Sequence, residues 1–306
     1  MKTPLNWISL HTPLQSLIKK QSITELAHEY SIHTAEIDGI EEHFLDKVVV
    51  GKVISCEKHP DSKKLSIVRV NIGNNQEETI LTGAPNISEA TYVPVALVGA
   101  VLGGDFTISE RMMAGMMSRG MICGADEIGL ATESDGGIMV LENTWERDLL
   151  ESQVGKSLFD LSLRFPGLDG SIYEYALRDT TFEIDNKFIT NRPDLFGVYG
   201  NAREWQAVFD IPFTEYTPRV LDSKIKTLPL KIEINRCLAY NAIQMQNIAV
   251  SKSPFGISLM MERAGLTPKM DLVDITNLIL TEFGQPMHVF DADKVSGTIT
   301  VRLAKQ

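Results

Sequence analysis

Short apolar runs rich in β-branched residues occupy the part of the chain between residues 48 and 141. They cover residues 48–54, 65–70, 79–82, 93–98 and 138–141, and Gly, Pro, Asn and Asp separate them. Runs of this length between turn-forming residues are typical of strands. Five short strands at this spacing predict a small β-barrel.

Helix signals lie on both sides of these strands. Residues 12–15 and 22–25 each place a hydroxyl residue three positions before Gln or Glu, which is the capping-box arrangement that begins a helix. Apolar residues recur at helical spacing over residues 195–209, and Ser253-Pro254 opens a further helix that ends near Gly265. The chain is therefore predicted to be a mixed α+β protein, and 306 residues are enough for about two domains.

Charge is distributed unevenly along the chain. The formal net charge is −11, which argues against indiscriminate binding of nucleic acid. Residues 133–185 hold twelve acidic and four basic residues, whereas residues 47–70 hold six basic and two acidic residues. An acidic chain can therefore still present a basic face to a partner.

The cysteines and the apolar runs of the sequence indicate the cellular compartment in which the protein is expected. Cys56, Cys123 and Cys237 form no CxxC pair, so the sequence predicts neither a zinc ribbon nor a disulfide framework. The N-terminus lacks the apolar core of a signal peptide, and no apolar run approaches the roughly 20 residues that span a bilayer. We expect a cytoplasmic protein with no membrane segment and no metal site in this chain.

Residues 57–65 are predicted to form a loop between two strands at the rim of the barrel. An imidazole can stack on a base, and ammonium groups can contact phosphates. A solvated charged turn is the alternative interpretation. The candidate RNA-binding residues of the loop and its flanking strands are Lys52, Lys58, His59, Lys63, Lys64 and Arg69.

Two further segments carry candidate chemistry. Gly115 and Gly120 have the spacing of a phosphate-binding loop but lack the following Lys-Ser/Thr, which excludes a P-loop NTPase. Thr276, Asn277 and His288 are polar groups among apolar neighbours that together could hold an ester and position a water. For His288, a hydrogen-bonded structural role is the alternative. Methionines 112, 113, 116 and 117 are predicted to pack in the core.

Several motifs resemble one family, in the family's order. Four segments resemble the tRNA-binding OB-fold of the bacterial phenylalanyl-tRNA synthetase beta subunit. They are Val-Val-Gly-Lys-Val (49–53), His-Pro-Asp-Ser-Lys-Lys-Leu (59–65), Thr-Gly-Ala-Pro-Asn (82–86) and Ser-Arg-Gly-Met-Ile-Cys (118–123). Thr-Asn-Arg-Pro-Asp-Leu (190–195) resembles the first domain of that subunit. Val-Asp-Ile-Thr-Asn (273–277) and Gly-Gln-Pro-Met-His-Val-Phe-Asp (284–291) resemble its editing domain.

The resemblance implies an α+β multidomain fold: an OB-fold β-barrel inserted in a small α+β domain and followed by a truncated α+β editing domain. It assigns residues 1–42 and 154–213 to a discontinuous N-terminal α+β domain and residues 43–153 to the tRNA-binding OB-fold. Residues 214–229 would be a linker, and residues 230–306 the incomplete start of the editing domain. Full beta subunits are several hundred residues longer, so we expect an N-terminal fragment.

The resemblance also implies a function. The chain would contribute tRNA binding and hydrolysis of mischarged tyrosyl-tRNA to phenylalanine–tRNA ligase, a second sieve against a near-isostere of phenylalanine. Its partners would be tRNA(Phe), the alpha subunit and a second beta subunit in an α2β2 assembly, with ATP and Mg2+ sites outside this chain. The rival hypothesis is a stand-alone OB-fold tRNA-binding adaptor without catalysis.

Roles for individual residues follow from the same resemblance. His288 would order the attacking water or the terminal ribose of the tRNA, and Thr276 and Asn277 would orient the ester carbonyl or that ribose. Ser62-Lys63 stands where the family usually has Ala-Asp. This replacement of an acidic by a basic residue suggests tighter binding of phosphate. Residues 187–189 are an insertion relative to shorter members and leave the nearby strand pairing open.

Overall fold

The computed structural model describes residues 1–131, 134, 136–167, 170–217 and 228–304. Among these residues the helices are α1 Leu5–Ile8, α2 Gln15–Ile18, α3 Ile23–His33, α4 Arg147–Gln153, α5 Val198–Phe209, α6 Phe255–Arg263 and α7 Asp271–Phe283. The strands are β1 Lys2–Pro4, β2 Ile37–His43, β3 Val48–Lys58, β4 Ser66–Asn71, β5 Glu77–Thr82, β6 Tyr92–Ala96, β7 Val101–Leu102, β8 Phe106–Thr107, β9 Arg111–Met113, β10 Met116–Ser118, β11 Met121–Ile122, β12 Ser162–Pro166, β13 Ile172–Ala176, β14 Asp179–Ile184, β15 Leu230–Ile232 and β16 Ile299–Val301.

The barrel is built on a five-stranded antiparallel sheet in the order β11-β6-β3-β4-β5. Successive side chains of a strand point to opposite faces. Accordingly, Val49 of β3 packs with Val68 and Val70 in the core of the barrel, whereas Val48 and Val50 pack into the core of the neighbouring domain. Strand β3 thus contributes side chains to two cores. The sheet and its separate core confirm the prediction of a small barrel.

The predicted strand at residues 138–141 is wrong. The fifth strand of the sheet is β11, which pairs with β6, and residues 138–140 are irregular. Ile138 nevertheless packs in the core of the barrel, and the Met139 N–H donates to the Cys123 carbonyl at 3.0 Å. The apolar pattern of these residues thus reflects the burial of their side chains and not hydrogen bonding to a neighbouring strand.

A second sheet, in the order β1-β14-β2, joins segments from before and after the barrel in sequence. Its strands β1 and β2 precede the barrel, and β14 follows it. Helices α3 and α5 pack beside this sheet, where the Tyr30 ring stacks on Trp205 with 5.4 Å between centroids and the Tyr30 hydroxyl donates to Asn201 Oδ1 at 2.7 Å. The barrel is therefore inserted within an α+β unit, as predicted.

The two predicted capping boxes have opposite outcomes. At α3 the Glu25 N–H donates to Ser22 Oγ at 3.2 Å and the Ser22 N–H donates to Glu25 Oε2 at 2.8 Å, so this prediction is confirmed. At residues 12–15 the prediction is wrong, because Leu14 is the N-cap of α2 and has no side-chain cap. The Thr12 hydroxyl instead donates to the Pro212 carbonyl at 2.6 Å, a tertiary contact that competes with the local one.

The C-terminal part contains α6, α7 and a parallel pair formed by β15 and β16. Helix α6 lies between Ser253-Pro254 and Gly265, as predicted. Buried Glu282 of α7 accepts a hydrogen bond from Trp7 Nε1 and is hydrogen-bonded to the His11 ring, which docks this helix on the N-terminal residues. Residues 218–227 of the expected linker lie outside the described residues.

No helix in the described part of the chain has the length and apolar character needed to cross a bilayer.

Candidate nucleic-acid interface

The loop of residues 59–65 connects β3 and β4 at the end of the barrel sheet, where the sequence predicted it. Lys58 and Ser66 face each other at the last register position, and Lys58 Nζ donates to Ser66 Oγ at 3.2 Å. Lys63 and Lys64 lie beyond this position and are exposed. The hairpin thus places two ammonium groups at the rim of the barrel.

His59 has a different role from the predicted one. Its side chain is buried, with the residue only 4% exposed, and the Asp61 N–H donates to its Nδ1 at 3.1 Å. The His59 N–H also donates to the Leu65 carbonyl at 3.0 Å, which closes the loop. In this conformation the ring shapes the loop that presents Lys63 and Lys64 and is not available to stack on a base.

Four of the predicted basic residues differ in whether they have an acidic partner. Lys52 Nζ lies 2.8 Å from Glu151 Oε1, and Arg69 forms an ion pair with Glu77. Lys63 and Lys64 form no ion pair or side-chain hydrogen bond with any residue that the structure describes. The loop therefore carries two lysines that form no ion pair with a described carboxylate, whereas Lys52 and Arg69 are each paired with one.

Several acids of the segment 133–185 are engaged in the fold. Burial raises the pKa of Glu142, but the N–H groups of Thr91 and Tyr92, at 2.7 and 3.0 Å, outweigh burial and hold that pKa below its usual range. The Lys52 ammonium is the main cause that lowers the pKa of the Glu151 carboxyl. Some carboxylates of residues 133–185 are thus bound to groups of the barrel. The net charge of this segment therefore overstates the negative charge that it exposes to solvent.

Sequence reasoning missed a cleft of about 410 Å3 on the barrel. It lies between the end of β5 and the connection from β6 to β11, and its lining includes Phe106, Arg111, Ser118 and Asp126. The expected core position of the methionines beside it is also wrong, because Met112 is 65% exposed and Met117 39% exposed on the β9–β10 hairpin. The single signal in the sequence was a concentration of glycines and long side chains between residues 99 and 124.

The candidate editing residues lie in the C-terminal part. Thr276 and Asn277 are half-buried on α7, and the Thr276 hydroxyl donates to the Val273 carbonyl at 2.7 Å. His288 is exposed and follows Gly284, whose φ of +69° ends the helix. Within residues 228–304, no hydrogen bond or ring contact joins these three side chains.

No group of three or more His, Cys, Asp or Glu side chains among the described residues is arranged to hold a metal ion. The glycine spacing at Gly115 and Gly120 belongs to the β9–β10 hairpin and the segment after it and does not form a phosphate-binding loop before a helix.

Two family models match the chain. The tRNA-binding domain matches residues 48–147, which hold the barrel, and the B3/4 domain matches residues 236–306. The barrel and the C-terminal part of the structure thus correspond to two known domain types.

Relatives named phenylalanine–tRNA ligase beta subunit match the chain along its length. The protein of Desulfotalea psychrophila is 34% identical over 100% of this chain and 35% of its own length. That of Fusobacterium nucleatum is 32% identical over 100% of this chain and 36% of its own, and that of Neisseria meningitidis is 34% identical over 95% and 36%. The chain therefore spans about a third of the length of these relatives. On these matches, the chain belongs to the family of phenylalanine–tRNA ligase beta subunits.

Proposed function

We propose that the chain binds tRNA through the β3–β4 hairpin, as a part of phenylalanine–tRNA ligase. The observation that carries this proposal is the exposure of Lys63 and Lys64 without an acidic partner among the described residues. Contacts with phosphate provide most of the sequence-independent affinity for nucleic acid, because they release counterions. The free ammonium groups of the hairpin can make such contacts directly, whereas Lys52 and Arg69 would first have to break their ion pairs with Glu151 and Glu77.

The division of labour within the assembly is part of the same proposal. Residues 1–42 with 154–213, residues 43–153 and residues 230–306 would act as three domains, with residues 214–229 as the linker. An alpha subunit and a second beta subunit would be the partners in an α2β2 enzyme. ATP and Mg2+ would be bound elsewhere in that enzyme. No step of the proposal depends on either group.

Substitution of the two free lysines tests tRNA binding. In K63E/K64E we expect the affinity for phenylalanine tRNA to fall about tenfold or more at moderate salt. The slope of log K against log salt should decrease by about 2, because each lost phosphate contact contributes about one unit. Filter binding or fluorescence anisotropy measures both quantities.

The matched control is K19E/K20E, which makes the same change of charge at two exposed lysines outside the barrel. This variant should retain most of the affinity. If both variants lose affinity equally, the net charge of the chain and not the hairpin governs binding. An unchanged curve for K63E/K64E would remove the hairpin from the interface.

We also propose that the C-terminal unit takes part in hydrolysing mischarged tyrosyl-tRNA, with Thr276, Asn277 and His288 as the polar groups. The match of residues 236–306 to the B3/4 domain and the exposure of the His288 ring to solvent support this role. An exposed imidazole can reach a substrate and orient a water molecule.

The ligase complex that contains H288A tests the editing role. We expect slower release of tyrosine from tyrosyl-tRNA, with aminoacylation by phenylalanine unchanged. H33Q, at an exposed histidine of α3, is the control and should hydrolyse normally. Hydrolysis at the original rate in H288A would refute the role of His288. If tRNA binding survives but the chain never associates with an alpha subunit, the adaptor function is favoured.

A further inference from the structure

The cleft on the barrel is large enough for one nucleotide. Its volume of about 410 Å3 falls in the range of small-molecule sites. Gly83, Gly120 and Gly137 contribute no side chains to its lining, which leaves backbone accessible to a flat ligand. Buried Leu81, Ile122 and Ile138 supply apolar contacts along the lining.

One side of the cleft is suited to stacking. Phe106 is 40% exposed, and the Arg111 guanidinium lies over its ring with 5.1 Å from Cζ to the ring centroid. Phe106 begins β8 and Arg111 begins β9, two consecutive short strands in the connection from β6 to β11. An exposed aromatic ring and a planar guanidinium are the groups on which single-stranded bases stack.

Hydrogen-bond acceptors also line the cleft. Asp126 is half-buried there, and its carboxylate forms no ion pair or side-chain hydrogen bond with the described residues. The neighbouring Glu127 also lines the cleft but is already held, since its Oε2 accepts from the Gly124 N–H at 2.7 Å. A free carboxylate accepts a hydrogen bond from an exocyclic amino group of a base, such as N4 of cytosine.

The charges of the lining decide which part of a nucleotide fits. Two carboxylates against one guanidinium make the lining unfavourable for a phosphate, while Arg111 above Phe106 makes the stacking side unfavourable for a cationic side chain. A neutral ring with donor groups satisfies both conditions.

The cleft adjoins the lysine hairpin. Gly83 lines the cleft, and a Cβ atom at this position would lie 3.8 Å from the Lys64 carbonyl oxygen. A strand of RNA whose phosphates contact Lys63 and Lys64 can therefore direct one base toward Phe106. In OB-folds generally, the loops between strands 1 and 2 and between strands 4 and 5 flank the nucleic-acid surface.

We propose that this cleft binds a single unpaired nucleobase that carries an amino group, presented by an RNA strand, with Phe106 and Arg111 stacking on the base and Asp126 accepting from its amino group. The proposal rests on the proposed tRNA binding by the hairpin and adds the recognition of one base to it.

Short fluorescent RNA oligonucleotides test the cleft with the intact chain. Wild type should bind oligo(C) or oligo(A) more tightly than oligo(U), because uracil has no amino group. F106A should weaken binding to oligo(C) and oligo(A) by about 5- to 150-fold, the range that corresponds to loss of one stacked base. D126A, which removes the acceptor that an Asn amide oxygen would keep, should bring the affinity for oligo(C) and oligo(A) close to that for oligo(U).

The control is F188A, which removes a phenylalanine outside the barrel that is 53% exposed, against 40% for Phe106, and it should bind like wild type. If F106A binds the oligonucleotides like wild type while K63E/K64E loses tRNA binding, the cleft does not bind a base and the proposed function stays intact. Unchanged binding in both variants would overturn both proposals. Free AMP or CMP binding as tightly as the oligonucleotides would overturn the assignment of the cleft to an RNA strand.

Discussion

At the scale of single residues, Gly51 shows how tightly the barrel is packed. A Cβ at this position of β3 would lie 2.5 Å from Val95 Cγ2 and 2.7 Å from Val70 Cγ1. We expect Gly51→Ala to lower the free energy of unfolding by about 1–3 kcal/mol, because the two valines must move in a full core. Urea denaturation measures the change.

Gly103→Ala is the matched control for this substitution. No atom lies within 4 Å of the Cβ that it would introduce, and the residue is exposed. Its denaturation midpoint should stay within experimental error of wild type. Equal stability of the Gly51 and Gly103 variants would show that the barrel interior has more room than the structure gives it.

His43 makes stability depend on pH. Burial, with the Arg263 charge as the second cause, lowers the pKa of His43 to about 4, against the opposing effect of Glu41. The unfolded chain binds the proton near pH 6.5, so the stabilising contribution is complete above that pH and is lost as pH falls toward 4. An NMR titration of the ring should show the low pKa, and H43Q should have a flatter stability profile over this interval. A ring that titrates near 6.5 would contradict the burial of His43.

At the scale of elements, Glu282 holds α7 against the N-terminal residues. It is the acceptor for Trp7 Nε1 and the partner of the His11 ring, and all three side chains are buried. Glu282→Ala would leave two polar groups unpaired, at a cost of about 1–3 kcal/mol each. Hydrogen exchange of the α7 amides should become faster and the fluorescence of Trp7 should change.

Ile275→Ala is the control on the same helix, because its side chain is 39% exposed. It should change the exchange of α7 much less. If Glu282→Ala and Ile275→Ala behave alike, the polar contacts with Trp7 and His11 do not determine how this helix docks.

Local sequence patterns predicted an element correctly where no residue distant in sequence competed for the hydrogen bond or the packing that the pattern implies. The box at Ser22 forms because Glu25 is its nearest partner, whereas Thr12 meets the Pro212 carbonyl, which is distant in sequence. Ile138 has the pattern of a strand residue but is buried without ladder pairing. These differences arise from tertiary contacts that no short window of sequence contains.

At the scale of the whole molecule, the order of elements and the barrel were predictable, but the functional surface was only partly so. Sequence located the basic hairpin, yet it could not show that His59 is buried or that Lys52 and Arg69 meet Glu151 and Glu77. The cleft was invisible because residues from β5, β8, β9 and the segment after β11 line it together. Periodicity predicts which face of a strand is apolar, whereas a site of this kind depends on how several connections fold against one another.

We propose that RNA contacts this chain at the rim of the barrel. Ultraviolet crosslinking of phenylalanine tRNA to the chain, followed by identification of the crosslinked peptides, tests it most directly. We predict crosslinks within residues 57–66 and 105–113, which hold Lys63, Lys64, Phe106 and Arg111. Crosslinks confined to residues 1–42 or 230–304 would contradict the claim.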